Sequence, residues 1–266
     1  MTTTIAVAGK GGTGKTTVAG LLIRYLGERQ VGSILAIDAD PSSNLNYVLG
    51  MELENTIGDI REDMLDKVQT TSALAGSMPG GMSKQDYLDY EIQMAMVEGD
   101  YLDLLAMGRP EGPGCYCAAN QMMRVIMDRM GKSYDYVVMD NEAGMEHISR
   151  RTTRDVDHLI VVTDTSQRGL IAVQHIVDMV PGLDVNVRQM YLVVNRLSGD
   201  QMPPALSVAV EKLIATAVTP IELVGTIPTD TMMSEFEFTG RPLVELPQDS
   251  PVVQAVYQIA GSVLHI

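Results

Sequence analysis

The chain has 266 residues, a formal net charge of −15, 45% apolar residues, two cysteines and no tryptophan. That length and apolar content suit one domain with a substantial core, and two cysteines exclude a disulfide framework. The acidic balance excludes a general nucleic-acid binder, which needs a basic face toward phosphate; no uncharged apolar run reaches the length of a membrane span; and a Met-Thr-Thr-Thr start without a basic region or cleavage site predicts a cytoplasmic protein.

In chain order, Ile5-Ala6-Val7-Ala8 reads as a buried strand, followed by Gly9-Lys10-Gly11-Gly12-Thr13-Gly14-Lys15-Thr16-Thr17. Behind these nine residues Val18, Leu22, Tyr25 and Leu26 repeat on one helical face. The stretch fits the phosphate-loop pattern G-x-x-x-x-G-K-[ST] in the strand–loop–helix context that the pattern requires. Its glycines let successive N–H groups converge on phosphate at the positive end of a helix. Lys15 is expected to neutralise β/γ-phosphate charge, and the Thr16 hydroxyl to reach Mg²⁺.

A second buried strand spans Ser33 to Ala39 and ends in Asp38-Ala39-Asp40-Pro41. Residues 44–69 look helical in pieces, most periodic from Asp59 to Val68, and 70–82 show no period. Ser83 with Asp86 predicts a capped helix to about Val97. A strand from Tyr101 to Met107 leads through a Gly/Pro loop to Cys115-Tyr116-Cys117, a helix over 118–130 and a strand from Tyr134 to Asp140. Further strands are predicted at His158–Thr163, Gln189–Val194 and Glu222–Ile227, with helices at Gly169–Val180 and Ala205–Ala217. The last helix begins with Ser250 as cap and Pro251 at its first position. Apolar strands alternating with amphipathic helices predict an α/β fold: a single domain over 1–266 with a mostly parallel sheet covered on both faces.

Lys10 is not demanded by the phosphate-loop pattern. A second lysine directly after the first glycine resembles the deviant Walker A ATPases, the class of MinD, ParA, the nitrogenase iron protein and the arsenite- and tail-anchor-handling ATPases. The resemblance implies Mg²⁺-dependent hydrolysis of ATP to ADP and phosphate in a two-fold homodimer, with Lys10 reaching the partner's nucleotide. A unit charge pair at about 4 Å is worth roughly 4 kcal/mol at an effective dielectric near 20.

Nucleotides in such sheets sit at the carboxyl ends of strands. Tyr136-Val137-Val138-Met139-Asp140 has the Walker B form, an apolar strand ending in a carboxylate that would hold Mg²⁺. By resemblance, Gly144 would lend its N–H to the γ-phosphate and Asp40 would position the attacking water, a role of geometry and electrostatics. Asp38 would support the metal. Asn195-Arg196 and Pro228-Thr229-Asp230 match the base-contacting segments of the class. Lys10, Lys15, Asp40 and Asp140 form the expected catalytic set.

Cys115 and Cys117 stand two apart, so in an extended segment both sulfurs face the same way. Two thiolates fill half of a four-ligand soft site, and a second chain would supply the rest. Four thiolates suit tetrahedral Zn²⁺ or square-planar Ni²⁺. Packed core thiols and a redox pair are the alternatives, although a C-x-C disulfide is strained. A deviant Walker A ATPase with Cys-x-Cys ahead of its Walker B strand resembles the nickel-insertion ATPases that mature carbon monoxide dehydrogenase or acetyl-CoA synthase. That resemblance implies Ni²⁺ or Zn²⁺ shared across the homodimer by Cys115 and Cys117, a client nickel enzyme as partner, and a second switch from Asp140 to His147. His147 reads either as a neighbour of the metal or as a capping or packing residue. Two other classes remain: an iron–sulfur carrier or scaffold, whose Cys-x-x-Cys would follow the Walker B strand, and a MinD/ParA-type positioning ATPase. The latter needs a basic DNA face or a cationic membrane helix, whereas Val252 to Ile266 contains no Lys or Arg.

Overall fold

The computed structural model describes residues 2–60, 62, 84–108, 130–143, 155–183, 185–199 and 201–266. Among the described residues eight strands form one sheet: β1 (Thr3–Gly9), β2 (Ile34–Asp38), β3 (Val97–Glu98), β4 (Leu102–Ala106), β5 (Tyr136–Asp140), β6 (Asp155–Thr163), β7 (Asn186–Leu197) and β8 (Glu222–Pro228). Their order is β3-β4-β2-β5-β1-β6-β7-β8, and every neighbouring pair is parallel except β3 with β4. The described helices are α1 (Lys15–Glu28), α2 (Leu45–Leu49), α3 (Lys84–Ala95), α4 (Gln167–Met179), α5 (Pro204–Thr216), α6 (Thr231–Thr239) and α7 (Pro251–Leu264).

The central strands are apolar on both faces because both faces are covered. In β1, Ile5 and Val7 join Val18, Leu22 and Leu26 of α1 and Val253 and Val256 of α7 on one side. Ala6 and Ala8 join Val173 and Ile176 of α4 and Val210 and Leu213 of α5 on the other. The expected α/β architecture, a mostly parallel sheet between helical layers, is the observed one. No described helix is long and apolar enough to cross a membrane.

Three local expectations need correction. The helix predicted to reach Val97 stops at Ala95, and Val97 and Glu98 pair antiparallel with Leu104 and Asp103. Gly99 N–H donates to Leu102 O at 2.8 Å, and a Cβ at Gly99 would sit 2.8 Å from that oxygen, so glycine permits the tight return. β7 is longer than Gln189–Val194 because β6 and β8 pair with it on either side. Helix α6 had no counterpart among the predicted elements. It buries one residue, Phe236, so it shows no apolar period, and its caps define it: Asp230 accepts from Met232 N–H, and Gly240 leaves it at φ 70. The periodic stretch at 59–68, apart from residues 59, 60 and 62, lies outside the described residues. So do the irregular segment 70–82 and the helix expected over 118–130, apart from Met130.

Candidate nucleotide site

Register brings the site together. Asp140 pairs with Val7 on one side and with Asp38 on the other, so β1, β2 and β5 release their chains at one edge. The loop after β1 therefore opens beside two carboxylates from its neighbours.

Glycine is required where that loop runs closest to the protein. A Cβ on Gly9 would collide with Val162 O, and one on Gly14 with Asn195 Nδ2. At Gly12, by contrast, nothing lies within 4 Å, and at φ 78 its backbone is in a conformation that favours glycine. Thr13 is buried; its hydroxyl donates to Lys10 O at 2.8 Å, and its carbonyl accepts from Asn195 Nδ2 at 2.7 Å. Gly14 caps α1 without any side-chain hydrogen bond, so the first N–H groups of the helix are open to an anion. Lys15 is 7% exposed and its Nζ lies 3.4 Å from Lys10 O, a long bond for a buried ammonium. Thr17 is buried behind it.

The metal side is a set of carboxylates. Thr16 hydrogen-bonds Asp140, whose Oδ1 is buried and has no partner in the protein. Burial pushes the Asp140 carboxyl up to about 7, the neighbouring Asp38 and Asp40 add to the rise, and Thr16 and Lys15 oppose it. Asp38 is pushed up to about 6, again chiefly by burial. Its two oxygens accept the amides of Asp40, at 3.0 Å, and Leu45, at 2.9 Å. Asp38 thus shapes the turn that carries Asp40. Asp40 itself is half-buried, accepts Ser42 N–H at 2.8 Å, and precedes Ser43, which takes a positive φ of 43. Mg²⁺ fits this arrangement: an unpartnered buried carboxylate oxygen stands next to the Thr16 hydroxyl, in a neighbourhood short of positive charge. Among the described residues no three His, Cys, Asp or Glu side chains make a self-contained metal site. Phosphate and water would complete the shell, as is usual for Mg²⁺.

Of two further residues at this edge, Asn141 entered the sequence reading only as part of the second switch, and Asp164 had no place in it. Asn141 clamps β5 to β1: its backbone N–H and Nδ2 both donate to Val7 O, at 3.1 and 2.9 Å, and its Oδ1 is buried without a partner. Asp164 follows the end of β6. Burial would raise its carboxyl, but the Ser166 hydroxyl and amide, together with the nearby Lys10 and Arg196 charges, hold it below the usual range. Its signal was a carboxylate at a strand end, the same signal that marked Asp140. Lys10 is exposed at the rim of the loop, close enough to Asp164 to lower its pKa.

The expected base side is built differently. Asn195 is buried; it holds Thr13 O with Nδ2 and accepts Arg196 N–H at 2.7 Å with Oδ1. Arg196 is exposed, with φ 59, at a register shift between β7 and β8. Pro228 ends β8 opposite Leu197. Asp230 accepts Met232 N–H at 2.8 Å and the Ser250 hydroxyl at 2.6 Å. Both of its oxygens therefore anchor helices. Gly144, Cys115, Cys117 and His147 lie outside the described residues; just before Gly144, Ala143 stands against the loop, 3.7 Å from where a Cβ on Gly11 would be.

Comparisons with known proteins agree with this edge. The family profile of the CobQ/CobB/MinD/ParA nucleotide binding domain matches residues 4–243. An uncharacterized ATP-binding protein of Methanocaldococcus jannaschii is 42% identical over 263 residues, 98% of each chain. The carbon monoxide dehydrogenase accessory protein CooC of Rhodospirillum rubrum is 27% identical over 252 residues, 91% of this chain and 89% of that protein. Among solved structures, the MinD cell division ATPase of Pyrococcus furiosus superposes with a TM-score of 0.67 at 21% identity, covering 100% of this chain and 99% of the other. That likeness bears on the fold alone.

Proposed function

The chain belongs to the CobQ/CobB/MinD/ParA family of P-loop ATPases, and from that premise we propose that it is an ATP-hydrolysing metallochaperone that supports nickel insertion into carbon monoxide dehydrogenase or acetyl-CoA synthase. Lys15 and the open N–H groups of α1 bind the phosphates. Asp140 and Thr16 hold Mg²⁺, which offsets charge on the phosphate oxygens when bound. Asp40 positions the attacking water, and Gly144 supports the γ-phosphate. Lys10 reaches the nucleotide of a second copy, so ATP favours a homodimer. Asn195, Arg196, Pro228 and Asp230 form the wall nearest the base, Asp230 as scaffold through the two helix caps it anchors.

The observation that carries the cargo reading is where the cysteine segment starts. β4 ends at Ala106 in register with Asp38, and Met107 N–H donates to Asp38 O at 2.8 Å. The described chain therefore leaves β4 at the nucleotide edge, with Met107 tied to the residue that shapes the Asp40 turn, and Cys115 and Cys117 follow in the sequence. The similarity to CooC supports the same reading. Ni²⁺ or Zn²⁺ is the cargo, held by Cys115 and Cys117 of two chains. Metal and nucleotide then each favour the dimer, and by reciprocity each raises the other's affinity.

Anaerobic titration with Ni²⁺ and with Zn²⁺, in the presence and absence of ADP or ATP, read out by molar mass, tests this reading. One metal per dimer is expected, and the Cys115→Ala/Cys117→Ala protein should lose both metal and metal-induced dimerisation. Unchanged stoichiometry in that variant would sink the site, and a brown, iron-containing protein would favour an iron–sulfur carrier instead.

A positioning ATPase is the second reading, which the MinD/ParA membership of the family profile supports. It needs a free amphipathic membrane helix or a DNA face. Val252, Val253, Val256, Ile259, Ala260 and Val263 of α7 are instead buried against α1 and β8. ATP-dependent pelleting with lipid or DNA would revive it.

A further inference from the structure

A surface beside the nucleotide edge has no role in ATP binding. Helices α2 and α6 both pack on the 3-10 turn Leu243–Glu245, and each carries an aromatic ring into solvent. Tyr47 is 72% exposed and Phe238 is 93% exposed. The chain has only two phenylalanines. Phe236 is 6% exposed, with the Arg241 guanidinium 3.9 Å from its ring centroid. Burying a ring of that size is favourable, and Phe238 leaves nearly all of its ring in water.

The rings stand in an acidic field. Glu52, Glu54, Glu235 and Glu237 are exposed. Between Gln30 and Ile60 there is no Lys or Arg, and between Asp230 and Asp249 the single cation is Arg241. Arg241 is already engaged by Glu245, at 3.4 Å, and by the Phe236 ring.

The face is also joined to the phosphate site. Asp38 holds the first amide of α2, Leu45 N–H, with one oxygen and the Asp40 amide with the other. At its far end α2 closes on Gly50, at φ 70, with Pro242 packed so closely that a Cβ on Gly50 would lie 2.8 Å from it. Pro242 leads directly into the turn that supports α6. Asp38 thus connects the Asp40 turn to α2, and Gly50 with Pro242 connects α2 to the turn that supports α6.

We infer that the α2–α6 face is a docking surface for a basic amphipathic segment of a partner protein. Phe238 and Tyr47 receive its apolar side and stack its guanidinium groups, while Glu52, Glu54, Glu235 and Glu237 meet its Lys and Arg. Charge selects this occupant: a second copy would bring acid against acid, and an anionic membrane would be repelled. The nucleotide dependence of docking rests on the ATPase reading of the phosphate edge.

The test uses a fluorescein-labelled helical peptide of Leu and Lys, about five turns long, titrated by anisotropy into the full chain with Mg²⁺ and either ADP or a non-hydrolysable ATP analogue. Affinity should differ between the two nucleotide states. Phe238→Ser, which keeps the charge, should weaken binding about tenfold, the loss of one aromatic anchor. Glu235→Lys with Glu237→Lys should weaken it further, and an equivalent Leu/Glu peptide should not bind. Nucleotide affinity of these variants, measured with a fluorescent analogue, should match wild type. Equal peptide affinity for wild type and Phe238→Ser overturns the docking surface, and equal affinity with both nucleotides overturns its coupling. A homodimer abolished by Phe238→Ser assigns the face to a second copy instead. Failure of the wild-type chain to bind nucleotide would strike the ATPase reading, separately from the docking surface.

Discussion

The two rims of the candidate site treat their polar groups in opposite ways. On the phosphate rim, Asp140 Oδ1 and Asn141 Oδ1 are buried without partners, Lys15 makes one long hydrogen bond, and α1 starts without a side-chain cap. On the base rim, Asn195 and Asp230 spend their polar atoms on the protein itself. A buried polar group left unsatisfied costs about 1–3 kcal/mol, and a fold carries that cost where something else completes the bond. The phosphate rim is unfinished, and nucleotide with Mg²⁺ finishes it. The base rim is already closed and serves first as scaffold.

The largest test of that contrast is Lys15→Ala. Removing the ammonium aimed at the phosphates should lower the ATPase rate by about 10²–10³-fold, while thermal stability holds or rises, because a weakly partnered buried charge is gone. Phosphate release near the wild-type rate would break the contrast. Next comes pH. The Asp140 and Asp38 carboxyls are raised, to about 7 and about 6 from 3.8. The folded chain therefore holds their protons more tightly than the unfolded chain does. Their stabilising contribution is present below about pH 4 and is lost as pH rises through 6 to 7. Without ligand, the melting temperature should fall between pH 5.5 and 8 by about several degrees. Mg²⁺ with ADP, or Asp140→Asn, should flatten that fall. An unchanged slope in Asp140→Asn would show that the burial of this carboxyl is not the cause.

The phosphate rim was also the more legible one. Its chemistry is local: nine consecutive residues specify a loop, and Val7, Asp38 and Asp140 need only in-register parallel strands to meet. The strands themselves were visible because burial on both faces leaves continuous apolar runs. Contacts between distant positions left no such trace. The bond from Asn195 to Thr13 spans 182 residues, and nothing near Asn195 predicts it. Asp164 gained meaning only once β6 was found beside β1. Helix α6 escaped a periodicity search because one buried residue makes no period, yet its caps, Asp230 and Gly240, were present to be read. The two-residue β3 exists through a glycine turn and a free sheet edge, neither of which is an apolar pattern.

Asn195→Ala sharpens the comparison at its boundary. It frees the Thr13 carbonyl beneath the loop, a loss of about 1–3 kcal/mol. If Asn195 acts as a strut alone, ATP and GTP affinities fall by the same factor, because the damage is to the phosphate cradle. If it also reads the base, the two fall unequally. Parallel titrations with both nucleotides decide between these outcomes.

The smallest effect is expected at Asp230. It caps α6, and through Ser250 Oγ it touches the residue that caps α7. Asp230→Ala should cost about 1 kcal/mol of stability and leave nucleotide affinity where it was. Ser250→Ala should cost a similar amount, and the double variant less than the sum, because each single change already breaks the shared hydrogen bond. A loss of ATP affinity in Asp230→Ala larger than its loss of stability would mean that this carboxylate faces the base after all. The base rim would then be as unfinished as the phosphate rim, with its open valence hidden by the helix caps.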